Sequence, residues 1–367
     1  MDKNIYFSEM RETSQRVIVY LLDMIDSLKF QQELKNSIYY FFKKRYNKPL
    51  LKPYLIRLTF ELVGDGNWEN IIPFCALGEL LNISSYQSNL AFDNKTGLLT
   101  KEEKDNQFIA STVTREVCNR IVHTNNYKLS AVQKNNILNM ISVANLYIYK
   151  AQYHDLNILT CKRLPFYLSN KDKFLHDYKK RCVYGTLNFS MCSQLGGMLA
   201  GAKKADLTQL SIFGRNLGVG LQYMNDLADY AHPFNTVNEN RYYQDRVSDL
   251  RNGRLTLPLY ELIEMDPNIF EIINKGNKLS EDEIQYIINR FLTKRIDKKI
   301  IEYCKINVAL AKRSLSHFNK LNPQSKLSLM TSVCVKNKYT KWFKSRVSKF
   351  ASSKQANLEI LLNERFL

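Results

Sequence analysis

Apolar residues recur every three to four positions along almost the whole chain, the spacing of helices with one face in a core. The first clear run is VIVYLLDMIDSLKF at 17–30. LKPYLIRLTFELV at 51–63 and the long NIIPFCALGELLNISSYQSNLAF at 70–92 follow. TREVCNRIV and NNILNMISVANLYIYKAQYHDL continue the pattern, and so does LTQLSIFGRNLGVGLQYMNDLADY at 207–230. YGTLNFSMCSQLGGMLAGA at 184–202 is rich in small residues, which suits close helix packing. Another helix begins within 254–265, and roughly four shorter ones complete the chain. No alternating run of convincing strand length interrupts them. Polar loops are expected at 64–69, 94–107, 232–246 and 274–282. The pattern predicts an all-α fold: one large helical bundle over 1–342, then a basic helical extension over 343–367.

Composition agrees. With 13 glycines and 8 prolines in 367 residues, the chain is short of the turn residues an all-β fold needs, and 45% hydrophobic residues suffice for a large core. Its seven cysteines are scattered without a C-x-x-C pair, so neither a zinc site nor a disulfide framework is indicated. No apolar run approaches the ~20 residues of a membrane helix, and the first residues lack the apolar stretch of a signal peptide. A cytoplasmic protein is expected. The formal charge of +18 favours polyanionic partners, yet no helix-turn-helix, zinc-finger or RNA-recognition pattern is present, and no nucleic-acid partner is expected. The tail KYTKWFKSRVSKFASSKQANLEILLNERFL mixes basic and aromatic residues. It reads either as a packed helix with a solvated basic face, which is favoured, or as a peripheral contact with an anionic membrane.

The candidate chemistry lies in LQYMNDLADY, 221–230. Asp226 and Asp229 are three apart, Asn225 and Asp229 four apart, and both spacings place side chains on one helical face beside the apolar Leu221, Met224 and Leu227. Carboxylates beside a buried face need a cation to offset them. The alternatives are a Mg²⁺ or substrate site and a solvated helix edge.

Five segments, in order, carry a resemblance. GLQYMNDLADY resembles the second aspartate-rich motif, F-Q-x-x-D-D-x-x-D, of the trans-isoprenyl diphosphate synthase (polyprenyl synthetase) family. DLRNGRLTLPLYELI is similar to its D-L-R-E-G-K-x-T-L-P-L. LGGMLAGA with FGRNLGVGLQ is similar to L-G-A-x-L-A-G and Y-G-x-x-L-G-x-x-F-Q. AQYHDL is similar to G-Q-x-x-D-L, and LLKPYLIRLTFELVG to the early R-L-R-P helix. The resemblance runs from about residue 45 to about 340. It implies a helical isoprenoid-synthase bundle, usually dimeric. It also implies an allylic prenyl diphosphate substrate held by Mg²⁺ and basic side chains, with an apolar tunnel for the prenyl tail.

The same comparison exposes departures. Where the family reads H-D-D-x-x-D after ELLNISS, this chain has Asn89, Leu90 and Asp93. In the second motif Asn225 replaces the first Asp. The implied metal ligands are Asn89, Asp93, Asn225, Asp226 and Asp229, with Asp93, Asp226 and Asp229 as the catalytic carboxylates. Three formal charges in place of about six weaken Mg²⁺ binding, because affinity follows ligand charge. Family lysines fall on Tyr184 and Ser248. Lys52, Gln222 and Arg254 are the implied diphosphate contacts. In the pocket for isopentenyl diphosphate, the expected Arg is Lys52, the expected Lys is Pro49 and the expected His is Asn82. Ser84 and Ser85, small residues before the first motif, predict an open tunnel for a long tail. The favoured function is a divergent Mg²⁺-using prenyltransferase or terpenoid enzyme. The alternative is a degenerate, non-catalytic subunit of a heteromeric prenyl diphosphate synthase. The partner is accordingly a second copy or a related synthase.

Overall fold

The computed structural model describes residues 3–45, 48–92, 100–124, 127–230, 248–274 and 279–338. Asp93 and the extension at 343–367 lie outside them. The described residues form an all-α protein whose one pairing of extended type is an isolated bridge between Thr160 and Arg254. The helices run α1 (Lys3–Ser27), α2 (Gln32–Arg45), α3 (Leu51–Val63), α4 (Ile72–Phe92), α5 (Lys101–Thr124), α6 (Ala131–Tyr153), α7 (Leu164–Leu168) and α8 (Lys171–Gly185). They continue as α9 (Leu187–Leu199), α10 (Lys204–Asp229), α11 (Ser248–Arg251), α12 (Leu257–Met265), α13 (Asn268–Ile273), α14 (Glu281–Thr293), α15 (Ile296–Leu315) and α16 (Leu321–Lys338). None of the described helices is long and apolar enough to cross a membrane.

The chain divides into two compact units. Among the described residues, the first unit takes those within Met1–Tyr149, Thr186–Asn216 and Leu310–Met330, and the second those within Lys150–Gly185, Leu217–Ala309 and from Thr331 onward.

In the first unit α3 is buried almost all round, from Lys52 to Leu62, as a central helix must be. It lies directly against α9, and Gly196 sets the spacing. A Cβ there would stand 2.1 Å from Thr59 Oγ1 and 2.2 Å from the Ile56 carbonyl oxygen. This is the close packing that the small residues of 184–202 predict.

The second unit is organised around an aromatic core. Phe174 stacks on Tyr260 with centroids 3.9 Å apart, Tyr178 stacks on Tyr223 at 5.6 Å, and Tyr230 stacks on Phe291 at 4.8 Å.

Three helix starts differ from the sequence expectation. α1 begins well before residue 17. Tyr6 and Met10 already face the core, and the pattern is masked where Thr13 and Ser14 stand at buried positions. Their hydroxyls are satisfied locally, donating to the Glu9 and Met10 carbonyls at 2.9 and 2.6 Å. α5 and α14 begin inside stretches expected to be loops. Each is opened by a reciprocal cap, Thr100 with Glu103 and Ser280 with Glu283. The cysteines whose side chains are described are free and buried: Cys75, Cys118, Cys161, Cys182, Cys192 and Cys304.

Candidate active site

The last turns of α10 carry Gln222, Asn225, Asp226 and Asp229, all in the second unit. Asp226 is 2% exposed, whereas Asn225, one position earlier, is exposed. One residue of helical rotation separates the two by about 100°, so the core takes one and solvent the other.

Every oxygen of the Asp226 carboxylate is engaged. Gln222 Nε2 donates to Oδ1 at 2.7 Å, and Tyr178 Oη donates to Oδ2 at 2.5 Å. Arg181 Nη1 donates to Oδ2 at 3.2 Å. Tyr178 and Arg181 lie on α8, with Phe174 four residues before Tyr178 on the same apolar face. Arg181 also grips Asp155 in a two-pronged pair, Nε to Oδ1 at 2.6 Å and Nη2 to Oδ2 at 3.0 Å. Asp155 is presented by a π-helical turn, His154–Ile158, that widens the end of α6. Arg181 is thus 7% exposed and bonded on both sides by carboxylates.

Burial pushes the Asp226 carboxyl upward from its ordinary pKa. Arg181 opposes the shift and Asp249 adds to it. Burial works against the Arg181 charge, but Asp155 and Asp226 outweigh it and hold the guanidinium well above its usual value. Burial raises the Tyr178 phenol, reinforced by Asp226, so Tyr178 stays a donor.

Asp229 faces α11. Its Oδ1 accepts the Ser248 amide at 3.1 Å and its Oδ2 the Asp249 amide at 3.2 Å. Arg254 is buried, and its Nη1 approaches Asp249 Oδ1 at 3.4 Å. Its backbone is tied to Asp249, and its neighbours to 159–161, around the turn at Gly253, whose φ is +63°. That backbone region favours glycine.

The other expected site residues belong to the first unit. Lys52 is buried, donates to Asn82 Oδ1 and lies 4.8 Å from the Phe189 ring centroid. Asn89 is half-buried near the end of α4. Ser84 does not leave a gap. Arg115 on α5 reaches across and donates Nε to Ser84 Oγ at 2.8 Å, and Nη2 to Ser88 and Ser111 at 2.7 and 2.5 Å. Ser111 Oγ returns a bond to the Ser84 carbonyl at 3.0 Å. The space spared by small side chains on α4 is filled by a guanidinium from its neighbour.

The donor set can be tested against Mg²⁺. A divalent ion wants several carboxylate or carbonyl oxygens in near-octahedral order. No group of three or more candidate ligands converges among the described residues. The Asp226 oxygens instead face three donors, one of them a cation. An ion sharing this carboxylate would stand about 4 Å from the guanidinium, a repulsion of about 8 kcal/mol at an effective dielectric of about 20. As arranged here, the second-unit residues do not fit the metal.

Arg181, Tyr178 and Asp155 are the participants that the motif reading missed as site residues. The signal was present: Phe174, Tyr178, Arg181 and Cys182 fall at helical spacing, so the arginine stands in an apolar register of KDKFLHDYKKRCVYG.

The polyprenyl synthetase family model matches residues 115–291. Solanesyl diphosphate synthase 1 of Arabidopsis thaliana is 30% identical over 103 residues, 28% of this chain and 24% of that protein. Geranylgeranyl diphosphate synthase of Sulfolobus acidocaldarius is 30% identical over 98 residues, 26% of this chain and 28% of that protein. The matched part of the chain therefore spans about a quarter of the length of these curated relatives. Among solved structures, geranylgeranyl pyrophosphate synthase from Lactobacillus brevis superposes with a TM-score of 0.72 at 16% identity, over 91% of this chain and 100% of that one. The Pyrococcus horikoshii enzyme gives 0.70 at 17%, over 91% and 98%. At such identities the likeness establishes the fold.

Proposed function

We propose that this chain, whose residues 115–291 match the polyprenyl synthetase family model, is a non-catalytic member of that family that assembles with a related, full-motif prenyl diphosphate synthase. One observation carries the reading: both retained carboxylates of the second motif are already bonded to protein donors, Asp226 to Gln222, Tyr178 and Arg181, and Asp229 to the amides of 248 and 249. The sequence alone favours an enzyme, because Asn can replace Asp at a metal site. A carboxylate saturated by a neighbouring guanidinium shifts that balance.

Exposed apolar side chains in the first unit support a helical partner. Tyr86 and Phe92 on α4, Phe108 and Ile109 on α5, and Val132 and Leu146 on α6 are each more than 40% exposed. Phe92 and Phe108 meet edge to face at 5.7 Å. Large apolar groups left in water mark association surfaces.

The test uses the full chain with Mg²⁺ and geranyl, farnesyl or geranylgeranyl diphosphate, each with and without isopentenyl diphosphate, and reads products by mass spectrometry. The expected result is no product from the chain alone, and a stable complex with altered product yield when it is co-expressed with a full-motif relative. Product from the chain alone would establish the enzyme instead.

A further inference from the structure

We propose that Arg181 is a built-in cation that neutralises Asp226 and Asp155 and so excludes a divalent ion from this carboxylate pair; the inference rests on the reading of the site as metal-poor but concerns its chemistry, not turnover. The geometry is that of a cation bridging two carboxylates. Arg181 spends Nε and Nη2 on Asp155 at 2.6 and 3.0 Å and Nη1 on Asp226 at 3.2 Å. Asp155 comes from the π-helical turn after α6, Asp226 from α10 and Arg181 from α8, so one side chain ties three elements of the second unit.

The surroundings make the pair dependent on that charge. Asp226 and Arg181 are buried, and the stacked rings of Phe174, Tyr178 and Tyr223 border them. Two carboxylates brought together in such a place require a positive partner. Here a covalently attached guanidinium supplies it, with the planar fork that matches carboxylate geometry. A side chain of this kind needs no dissolved ion and leaves no open coordination position. The corollary is specific: take the guanidinium away, keep the helix, and Asp155 with Asp226 becomes a hard-oxygen pair that a small divalent cation can join.

The experiment reads metal directly. Full-length wild type, Arg181→Met, Arg181→Lys, Asp226→Asn and the double variant Arg181→Met/Asp226→Asn are titrated with Mn²⁺ and followed by electron paramagnetic resonance. Thermal unfolding is recorded with and without MgCl₂. Wild type and Asp226→Asn are expected to bind Mn²⁺ equally. Arg181→Met is expected to gain about one further Mn²⁺ per chain and a Mg²⁺-dependent rise in unfolding temperature. Both gains should vanish in the double variant, and Arg181→Lys should behave as wild type. Wild-type Mn²⁺ binding that Asp226→Asn abolishes overturns the proposal, and so does a folded Arg181→Met that gains no metal. If Arg181→Met fails to fold, the comparison of wild type with Asp226→Asn decides alone. Turnover by the wild-type chain would remove the non-catalytic reading yet leave this proposal standing, provided that Mn²⁺ binding stays independent of Asp226.

Discussion

Arg115 in the first unit and Arg181 in the second solve the same problem with opposite chemistry. Both place a guanidinium between helices, Arg181 buried and Arg115 half-buried. Arg115 is met by the hydroxyls of Ser84, Ser88 and Ser111, and its guanidinium carbon lies 4.6 Å from the Tyr149 ring centroid. Arg181 is met by two carboxylates. Burial lowers the Arg115 pKa, because neutral acceptors only partly repay the lost hydration. At Arg181 the same burial is outweighed and the pKa rises. The difference lies in what each arginine leaves behind when removed. The serines can bond one another, as Ser84 and Ser111 already do. The carboxylates cannot.

The comparison is broken most sharply at Arg181. Arg181→Met should destabilise the protein by about 3–5 kcal/mol, the usual cost of stranding one partner of a buried ion pair, read as a lower midpoint in urea unfolding. Combining it with Asp226→Asn should return part of that loss, since an amide carries no charge to strand. Two additive losses in that cycle would mean that Arg181 acts through packing and not through Asp226.

Acid sharpens the contrast, and its sign follows from the Asp226 shift. The folded-state pKa of Asp226 is raised above the unfolded value. The folded chain therefore holds this proton where the unfolded chain has released it, and the group's contribution to stability is greatest below the unfolded pKa of about 4 and is lost as pH rises through the folded one. Removing Arg181 takes away the cause that opposes the rise. The deficit of Arg181→Met, measured against wild type by urea midpoints, should shrink from pH 7 toward pH 5 as Asp226 takes up its proton. The deficit of an Arg115 variant should not move over that range, because no carboxylate bonds to that side chain among the described residues. An Arg181→Met deficit that is constant with pH would mean that Asp226 stays ionised without its partner.

Much of the fold was legible because helical periodicity is repeated over hundreds of residues and one misread position changes little. The small residues around Gly196 announced a close helix crossing for the same reason: absence of a side chain is visible in a sequence. The starts of α5 and α14 were legible too, in T-K-E-E and S-E-D-E, but a cap weighs four residues against a polar stretch that otherwise reads as loop. The site was legible only in part. The motif identified Gln222, Asp226 and Asp229, while the side chains that saturate Asp226 come from α8, forty-odd positions away, as Tyr178 and Arg181. Nothing local to LQYMNDLADY encodes them. Ser84 shows the same limit from the other side. A small residue predicts space, but which side chain enters that space is decided by α5.

That seam also provides the mildest prediction. Arg115→Met removes three hydrogen bonds to hydroxyls, yet Ser84, Ser88 and Ser111 lie within 2.6–3.2 Å of one another along the chain of contacts and keep partners without it. The donor is charged, but it is half-buried and its acceptors are neutral hydroxyls that stay bonded to one another, and a methionine of similar reach restores packing, so the expected loss is about 1–2 kcal/mol. Ser88→Ala should cost less still, about 1 kcal/mol or below, since Arg115 retains two acceptors. Urea midpoints of the two variants check the order. A loss at Arg115 as large as that at Arg181 would show that the hydroxyl cradle depends on its guanidinium as strictly as the carboxylate pair does. The distinction between a neutral and a charged cradle would then fail.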